Sequence, residues 1–571
     1  MIGDVYEPLS AYRDVFREKF ARLAREKFSE FVARSGIDIC ACRAQAAEAR
    51  KLQKEFAGAK AKKNLFGWLA ALGYVAAAVF VALIFFDENR DGAKTDVFVT
   101  GAIAGIALSI PAGIAAGRAA RHARSLKEKL DKALADAWNL MEPLNSLYSW
   151  DVTVKLIEAT VPRLAFDPFF TAKRLADLKR LYGWDDGFND GKSIVFAQSG
   201  VINGNPFLFG EYLEMEWGTE TYHGSLDISW TEFETDERGN RRRVTRHETL
   251  HASVTKPKPE YSRRKVLVYG NDAAPNLSFS RKPSGFDDND LFDGIRKRWR
   301  IGKLKRFSRN LKDESNFTMM SNHEFEAWFN AVDRDNEVEF RLLFTALAQT
   351  QMMALMKDTT TGFGDDFTFR KVRKINLVGA RHLDDAEIDT DPKHFRHWDI
   401  DAARANFLRF NEKYFRDAYF ALAPLLAIPL YQQTRPHEEI WKGVVDGNGA
   451  SFWEHEAIAN YYGEKRFAHP ACITRNILKT RLASRADGVS EVEVVAHGFR
   501  GEKRIDREEV FGGDGKWHWV PVEWIEYLPV EKTTGMTVCE SSSGRSAELD
   551  GRFGKTGSAV FRRSIYSFLG R

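Results

Sequence analysis

Two long segments near the start of the chain contain no charged residue. Residues 65–86 and 97–117 are almost wholly apolar, and at about 1.5 Å per residue each can cross a hydrocarbon core of about 30 Å. Only the short segment 87–96 separates them, so the pattern predicts a transmembrane helical hairpin. The first segment follows a long charged stretch, which is not typical of a cleaved signal peptide. A buried hairpin in a soluble protein is the alternative interpretation.

The charges beside the hairpin predict its orientation. Basic residues precede the first segment and follow the second, whereas the segment between them is richer in acidic residues. Because basic flanks stay on the cytoplasmic side, we expect a multi-pass protein of the bacterial inner (cytoplasmic) membrane with both termini in the cytoplasm. The basic residues are Lys51, Lys54, Lys60, Lys62, Lys63, Arg118, Arg121, Arg124, Lys127 and Lys129.

A small residue recurs at every fourth position of the second segment. Such a row lets another helix approach closely. It predicts packing within the hairpin, against Gly67 and Gly73 of the first segment, and the alternative is self-association into a homo-oligomer. The membrane-packing residues are Gly101, Gly105, Ser109, Gly113 and Gly117.

Helical periodicity continues on both sides of the hairpin. Residues 9–35 place apolar side chains at helical spacing among charged ones, which predicts an amphipathic helix. Apolar residues at intervals of three and four follow the second segment and predict a helical stalk. These residues are Leu126, Leu130, Leu134, Trp138, Met141, Leu144 and Leu147.

From about residue 190 the apolar residues partly alternate with polar ones, which predicts antiparallel strands with a turn at 236–240. Helical patterns at 323–357 and 402–427 interrupt the strands. The predicted fold class is therefore α+β: a two-helix transmembrane hairpin with a helical stalk, then a cytoplasmic region rich in antiparallel sheet. The predicted divisions are a cytoplasmic helical segment (1–63), the hairpin (64–117), the stalk (118–185), an α+β module (186–380) and a C-terminal α+β module (381–571).

Composition narrows the class of protein. The chain has 571 residues, enough for several domains, and only four cysteines, which argues against a disulfide scaffold and for a reducing compartment. Its 84 basic and 80 acidic residues nearly balance, and the net charge is +4. Any basic binding surface must therefore be local, and we expect no nucleic-acid partner.

The strongest local charge lies at 296–312, where basic residues cluster without an acid. A solvated surface helix explains the cluster, because basic residues favour a helix C-terminus. The functional alternative is contact with anionic lipid of the inner leaflet, which attracts clustered lysine and arginine. The candidate contacts are Arg296, Lys297, Arg298, Trp299, Arg300, Lys303, Lys305 and Arg306.

Two patterns resemble metal sites. His247, Glu248 and His251 spell H-E-x-x-H, which binds zinc when it lies on a helix. Here β-branched neighbours predict a strand, on which the two histidines stand about 13 Å apart at about 3.3 Å per residue. Histidines and carboxylates also gather at 382–401, although acidic linkers commonly contain both. We therefore predict no metal, cofactor or catalytic residue.

Residues 264–283 and 316–358 resemble an uncharacterised bacterial membrane-anchored family, a domain of unknown function. The resemblance rests on an F-E-x-x-F helix followed by a second signature, and it implies a transmembrane hairpin before a cytoplasmic α+β module. The family implies no activity and no site residue. The matching residues are Phe325, Glu326, Phe329, Val338, Glu339, Arg341 and Thr345.

These patterns predict a membrane-anchored cytoplasmic interaction, scaffold or sensor protein. Its expected partners are the lipid bilayer, anionic lipid, a protein of unknown identity and further copies of itself. The alternative is a membrane-tethered enzyme, a metal-dependent hydrolase with its site in the C-terminal module. We prefer the non-enzymatic role.

Overall fold

The computed structural model describes residues 5–86, 92–235, 241–286, 293–309, 317–433, 435, 449–486, 488–540, 559–563 and 565–569. The chain forms two compact units. The first, the β-rich unit, comprises Met1–Phe20, Trp150–Thr390 and Lys413–Arg571. The second, the hairpin unit, comprises Ala21–Ser149 and Asp391–Glu412.

Helices and strands segregate along the chain as the α+β class predicts. The helices are α1 (Pro8–Ala11), α2 (Arg17–Ser35), α3 (Ile39–Phe86), α4 (Gly92–Asn145), α5 (Val152–Thr160), α6 (Ala172–Tyr182), α7 (Asp293–Arg309), α8 (His323–Phe329), α9 (Glu337–Leu343), α10 (Ala346–Lys357), α11 (Arg381–Asp384), α12 (Ile400–Leu426), α13 (Pro429–Gln433) and α14 (Phe452–Tyr462). The strands are β1 (Leu164–Phe166), β2 (Lys192–Ile202), β3 (Asn205–Thr235), β4 (Arg241–Gly270), β5 (Ser278–Arg281), β6 (Phe367–Val372), β7 (Ile375–Ala380), β8 (Ile477–Ala486), β9 (Val489–Phe511), β10 (Trp517–Glu540), β11 (Ala559–Arg562) and β12 (Ile565–Leu569).

The hairpin unit is built on two long antiparallel helices, α3 and α4. They keep one register along their length: Cys42 Sγ lies 3.9 Å from the carbonyl oxygen of Leu140, and Gln45 donates to that of Ala133 (3.1 Å). Each apolar segment therefore continues into the charged part of the same helix. The predicted stripe is wrong in its middle, where Ala133 and Ala137 are buried while Trp138 is exposed. Small side chains occupy the interface because they let the two helices approach closely.

The β-rich unit contains two antiparallel sheets, which confirms the predicted class. One sheet has seven strands in the order β1-β2-β3-β4-β7-β6-β5, and the other has five in the order β11-β12-β10-β9-β8. Helix α14 covers the first sheet, because Trp453 lies in a core with Ile194, Leu208 and Val268. Burying these side chains is the main source of stability for this layer.

Two pairs of strands extend far beyond their sheets. Strand β2 pairs with β3 only as far as Glu214, whereas β3 and β4 stay paired to Thr235 and Arg241. We call residues 215–235 and 241–264 the β3–β4 ribbon. We call residues 498–511 and 517–535, which extend past β8 and β12, the β9–β10 ribbon. At about 3.3 Å per residue, the first ribbon is about 70 Å long.

The two ribbons pack face to face. A Cβ atom added at Gly224 of β3 would overlap the carbonyl oxygen of Pro521 in β10. The Lys256 ammonium lies 4.6 Å from the Trp524 ring centroid and forms an ion pair with Asp506. The even-numbered residues of each ribbon therefore point inwards, and the odd-numbered residues of β3 and β4 point to solvent along most of the ribbon.

Candidate membrane-contact site

The glycine row of α4 divides into a packed half and an open half. A Cβ added at Gly105 would lie 2.8 Å from the carbonyl oxygen of Gly73, and one at Gly101 would lie 2.8 Å from the Phe80 ring. Ser109 is fully buried against the same side of α3. At Gly113 and Gly117, and at Gly67 of α3, an added Cβ would meet nothing within 4 Å. Packing within the hairpin thus accounts for the first three positions of the row.

Both helices are long and apolar enough to cross a membrane. Only 17% of the most apolar window of each helix is buried in the structure. Large apolar side chains on both helices are exposed, including Trp68 (70%), Leu72 (61%) and Ile103 (62%). A hairpin in the core of a soluble protein would bury these side chains, whereas a bilayer would cover them.

The basic segment forms helix α7, which packs against α8 through one face. Leu304 is buried on this face, and Lys297 Nζ lies 4.8 Å from the Trp328 ring centroid. The Arg300 guanidinium lies 4.5 Å from the Phe286 ring centroid and donates to the carbonyl oxygen of Ala327 (3.4 Å). Partial burial lowers the pKa of Arg300. Lys297 and Arg300 therefore attach the helix to its neighbours.

The other six candidate lipid contacts on α7 are exposed. Trp299 is 65% exposed, and Lys303 Nζ lies 5.8 Å from its ring centroid. The spacing i, i+4, i+7 places Trp299, Lys303 and Arg306 on one face, while Arg298 and Lys305 lie on the opposite flank. An exposed tryptophan among cations is typical of a membrane interface. Positions 310–312 of the basic segment lie outside the described residues.

The H-E-x-x-H segment lies on β4, as its β-branched neighbours predict. His247 pairs with Ser229 and His251 with Ser225 in the regular β3–β4 register. Glu248 Oε2 accepts a hydrogen bond from the backbone N–H of Gly513 (2.6 Å) in the β9–β10 turn. The segment thus cannot present both histidines to one ion. The predicted turn at 236–240 lies outside the described residues.

Several of the histidines and carboxylates of 382–401 have partners of their own. His382 Nδ1 lies 2.6 Å from Asp366 and its ring stacks on Phe363. Asp384 accepts from the backbone N–H of Lys265 (2.7 Å), and His394 stacks on Phe410. Within the described ranges, no group of three or more histidine, cysteine or acidic side chains could hold a metal ion.

The residues of the family signature support the fold. Phe325 and Phe329 pack in an aromatic cluster, and Thr345 caps α10 by accepting from the N–H of Ala348 (3.4 Å). Glu339 accepts two hydrogen bonds from Asn276. Val338 and Arg341 are exposed.

Glu326 of the signature holds a buried arginine that the motif did not indicate. Arg334 donates to both Glu326 oxygens (2.8 and 3.0 Å) and to Glu337 (2.7 Å). Its guanidinium lies between the rings of Phe317 and Phe340. Nothing in the spacing of charges identifies this arginine, because the loop between α8 and α9 brings it back onto α8.

No family model matches the chain, and neither the curated proteins nor the solved structures gave a match. The arrangement of the described residues is therefore the basis for a functional assignment.

Proposed function

We propose that this protein is a membrane-anchored scaffold or sensor of the bacterial inner membrane. The α3–α4 hairpin crosses the bilayer, both termini are cytoplasmic, and the β-rich unit meets anionic lipid and a protein partner there. We assign the protein to the uncharacterised membrane-anchored family of unknown function that its sequence resembles. The low burial of the two apolar helices is the observation that carries the proposal.

The exposed face of α7 supplies the lipid contact. Trp299 enters the headgroup region while Lys303 and Arg306 meet lipid phosphates, and each basic residue near the surface contributes about 1 kcal/mol. Lys297 and Arg300 keep the helix seated on α8 through their aromatic contacts. The contact is electrostatic, so it weakens as salt rises.

Hydrogen exchange of the full-length protein in nanodiscs tests this contact. We expect α7 to be protected in discs with anionic lipid and unprotected in discs of neutral lipid or at high salt. Lys303→Glu with Arg306→Glu removes at least about 2 kcal/mol of attraction and should abolish the protection.

The matched control is Arg298→Glu with Lys305→Glu, which changes the net charge equally on the opposite flank of α7. This control should retain most of the protection. Equal loss in both double variants would contradict a contact through the Trp299 face, and protection that ignores lipid charge would contradict the electrostatic mechanism.

A further inference from the structure

The β3–β4 ribbon has two free edges. Strand β2 leaves β3 after Glu214, and β7 joins β4 only at Leu267. Among the described residues, no further backbone hydrogen bond joins the outer edge of 215–235 or of 241–264. Long exposed edges can pair with another strand, and proteins usually block them.

Two prolines show which backbone groups of β4 point outwards. Proline has no N–H, so Pro257 and Pro259 fit in β4 only where that group would face away from β3. The β3–β4 pairing has no register shift, and the pattern repeats every second residue. The odd-numbered residues from Arg243 to Thr255 therefore direct their N–H and C=O groups to the free edge. No proline occurs between 241 and 255 or anywhere in 215–235.

The two edges carry opposite charge. Within the ribbon, residues 215–235 on β3 include five carboxylates and no lysine or arginine, whereas residues 241–264 on β4 include eight basic and two acidic residues. Three of the five carboxylates pair with β4 of the same ribbon: Glu220 with Lys258 (2.9 Å), and Glu232 and Glu234 with Arg246. This leaves an excess of basic residues on β4. The ribbon nevertheless presents an acidic strand at one edge and a basic strand at the other.

We propose that this ribbon joins copies of the chain, with the β3 edge of one copy pairing with the β4 edge of the next. Because β3 and β4 are antiparallel, copies in the same orientation continue one antiparallel sheet. The solvent face adds rows of threonine and serine, such as Thr221 beside Thr255, which pair well across strands. The contact is head-to-tail, so it extends to a ring or a row.

Proline scanning of the full-length protein in detergent tests the pairing. Thr245→Pro with Ser253→Pro removes two outward N–H groups of β4 and leaves the bonds to β3 in place. Mass photometry should show an oligomer for the wild type and a single copy for this variant. Thr245→Val with Ser253→Val is the matched control and should remain assembled, with circular dichroism confirming that all variants are folded.

Mixing two blocked variants distinguishes this pairing from any other assembly. Ser225→Pro with Ser229→Pro blocks the β3 edge in the same way. Each blocked variant alone should be a single copy, but their mixture should form a dimer through the one intact β3 edge and the one intact β4 edge. Any of three results would overturn the proposal: a wild-type protein that is a single copy, proline variants that stay assembled, or a mixture that stays monomeric.

Discussion

Replacing Gly105 by leucine should open the α3–α4 hairpin, whereas the same change at Gly113 should not. An added Cβ at Gly105 lies 2.8 Å from Gly73 O, 3.0 Å from Ala77 N and 3.1 Å from Ala77 Cβ. Ordinary contact begins at 3.4 Å, so α3 and α4 must separate by at least about 0.6 Å before the rest of the side chain is placed. Overpacking of this kind costs about 1–3 kcal/mol.

The two variants add the same side chain to the same helix two turns apart. Gly113 meets nothing within 4 Å, so leucine there adds no strain to the hairpin. A difference of about 2 kcal/mol corresponds to about a 30-fold change in the open fraction. Titration with SDS measures it through energy transfer between dyes on Lys63→Cys and Arg118→Cys, two exposed positions that the contact of Gly73 with Gly105 places at about the same level of α3 and α4.

We expect a lower SDS midpoint for Gly105→Leu and an unchanged midpoint for Gly113→Leu. Equal shifts would refute the close packing of α4 against α3 at Gly105. A shift at Gly113 alone would show that another molecule covers the open half of the glycine row.

Three further results are expected. Arg334→Met should lower the free energy of unfolding by about 3–5 kcal/mol, because Glu326 would lose its buried partner. A decrease of less than about 1 kcal/mol in a denaturation experiment would contradict this. His247→Ala and Glu248→Gln should leave the zinc content of the purified protein unchanged in elemental analysis, and loss of one zinc per chain would place this segment in a metal site. Burial lowers the pKa of Lys371 to about 7, so the unfolded chain binds more protons between that pH and the usual lysine value. Stability should therefore rise from pH 7 towards pH 10 in thermal melts; Lys371→Met should remove the rise, and an equal rise in this variant would count against a buried neutral amine.

Local patterns predicted much of this fold. Charge-free length identified α3 and α4, and β-branched neighbours identified the strand that carries His247. Local pattern also predicted the surface helix α7, because the helical spacing of its basic and aromatic residues is enough to indicate it.

Tertiary partners decided the rest. The stalk buries Ala133 and Ala137 because α3 lies close against them. The apolar spacing did not predict this, because it gave more weight to the larger side chains of Leu134 and Trp138. Arg334 is buried because a loop returns it to Glu326, and no periodicity records such a contact. The packing of the two ribbons depends on strands far apart in the chain, as the contact between Glu248 and Gly513, 265 residues apart, illustrates. The predicted divisions of the chain, its localisation and its function remain predictions.

Cysteine labelling in intact cells tests the membrane anchorage most directly. In a background without Cys40, Cys42, Cys472 and Cys539, a cysteine at Gly92 should react with a membrane-impermeant maleimide. A cysteine at the exposed Gly515 of the β9–β10 turn should react only after the cells are opened. Labelling of Gly515→Cys but not Gly92→Cys in intact cells would reverse the topology, and recovery of the whole protein in the soluble fraction would contradict the transmembrane hairpin itself.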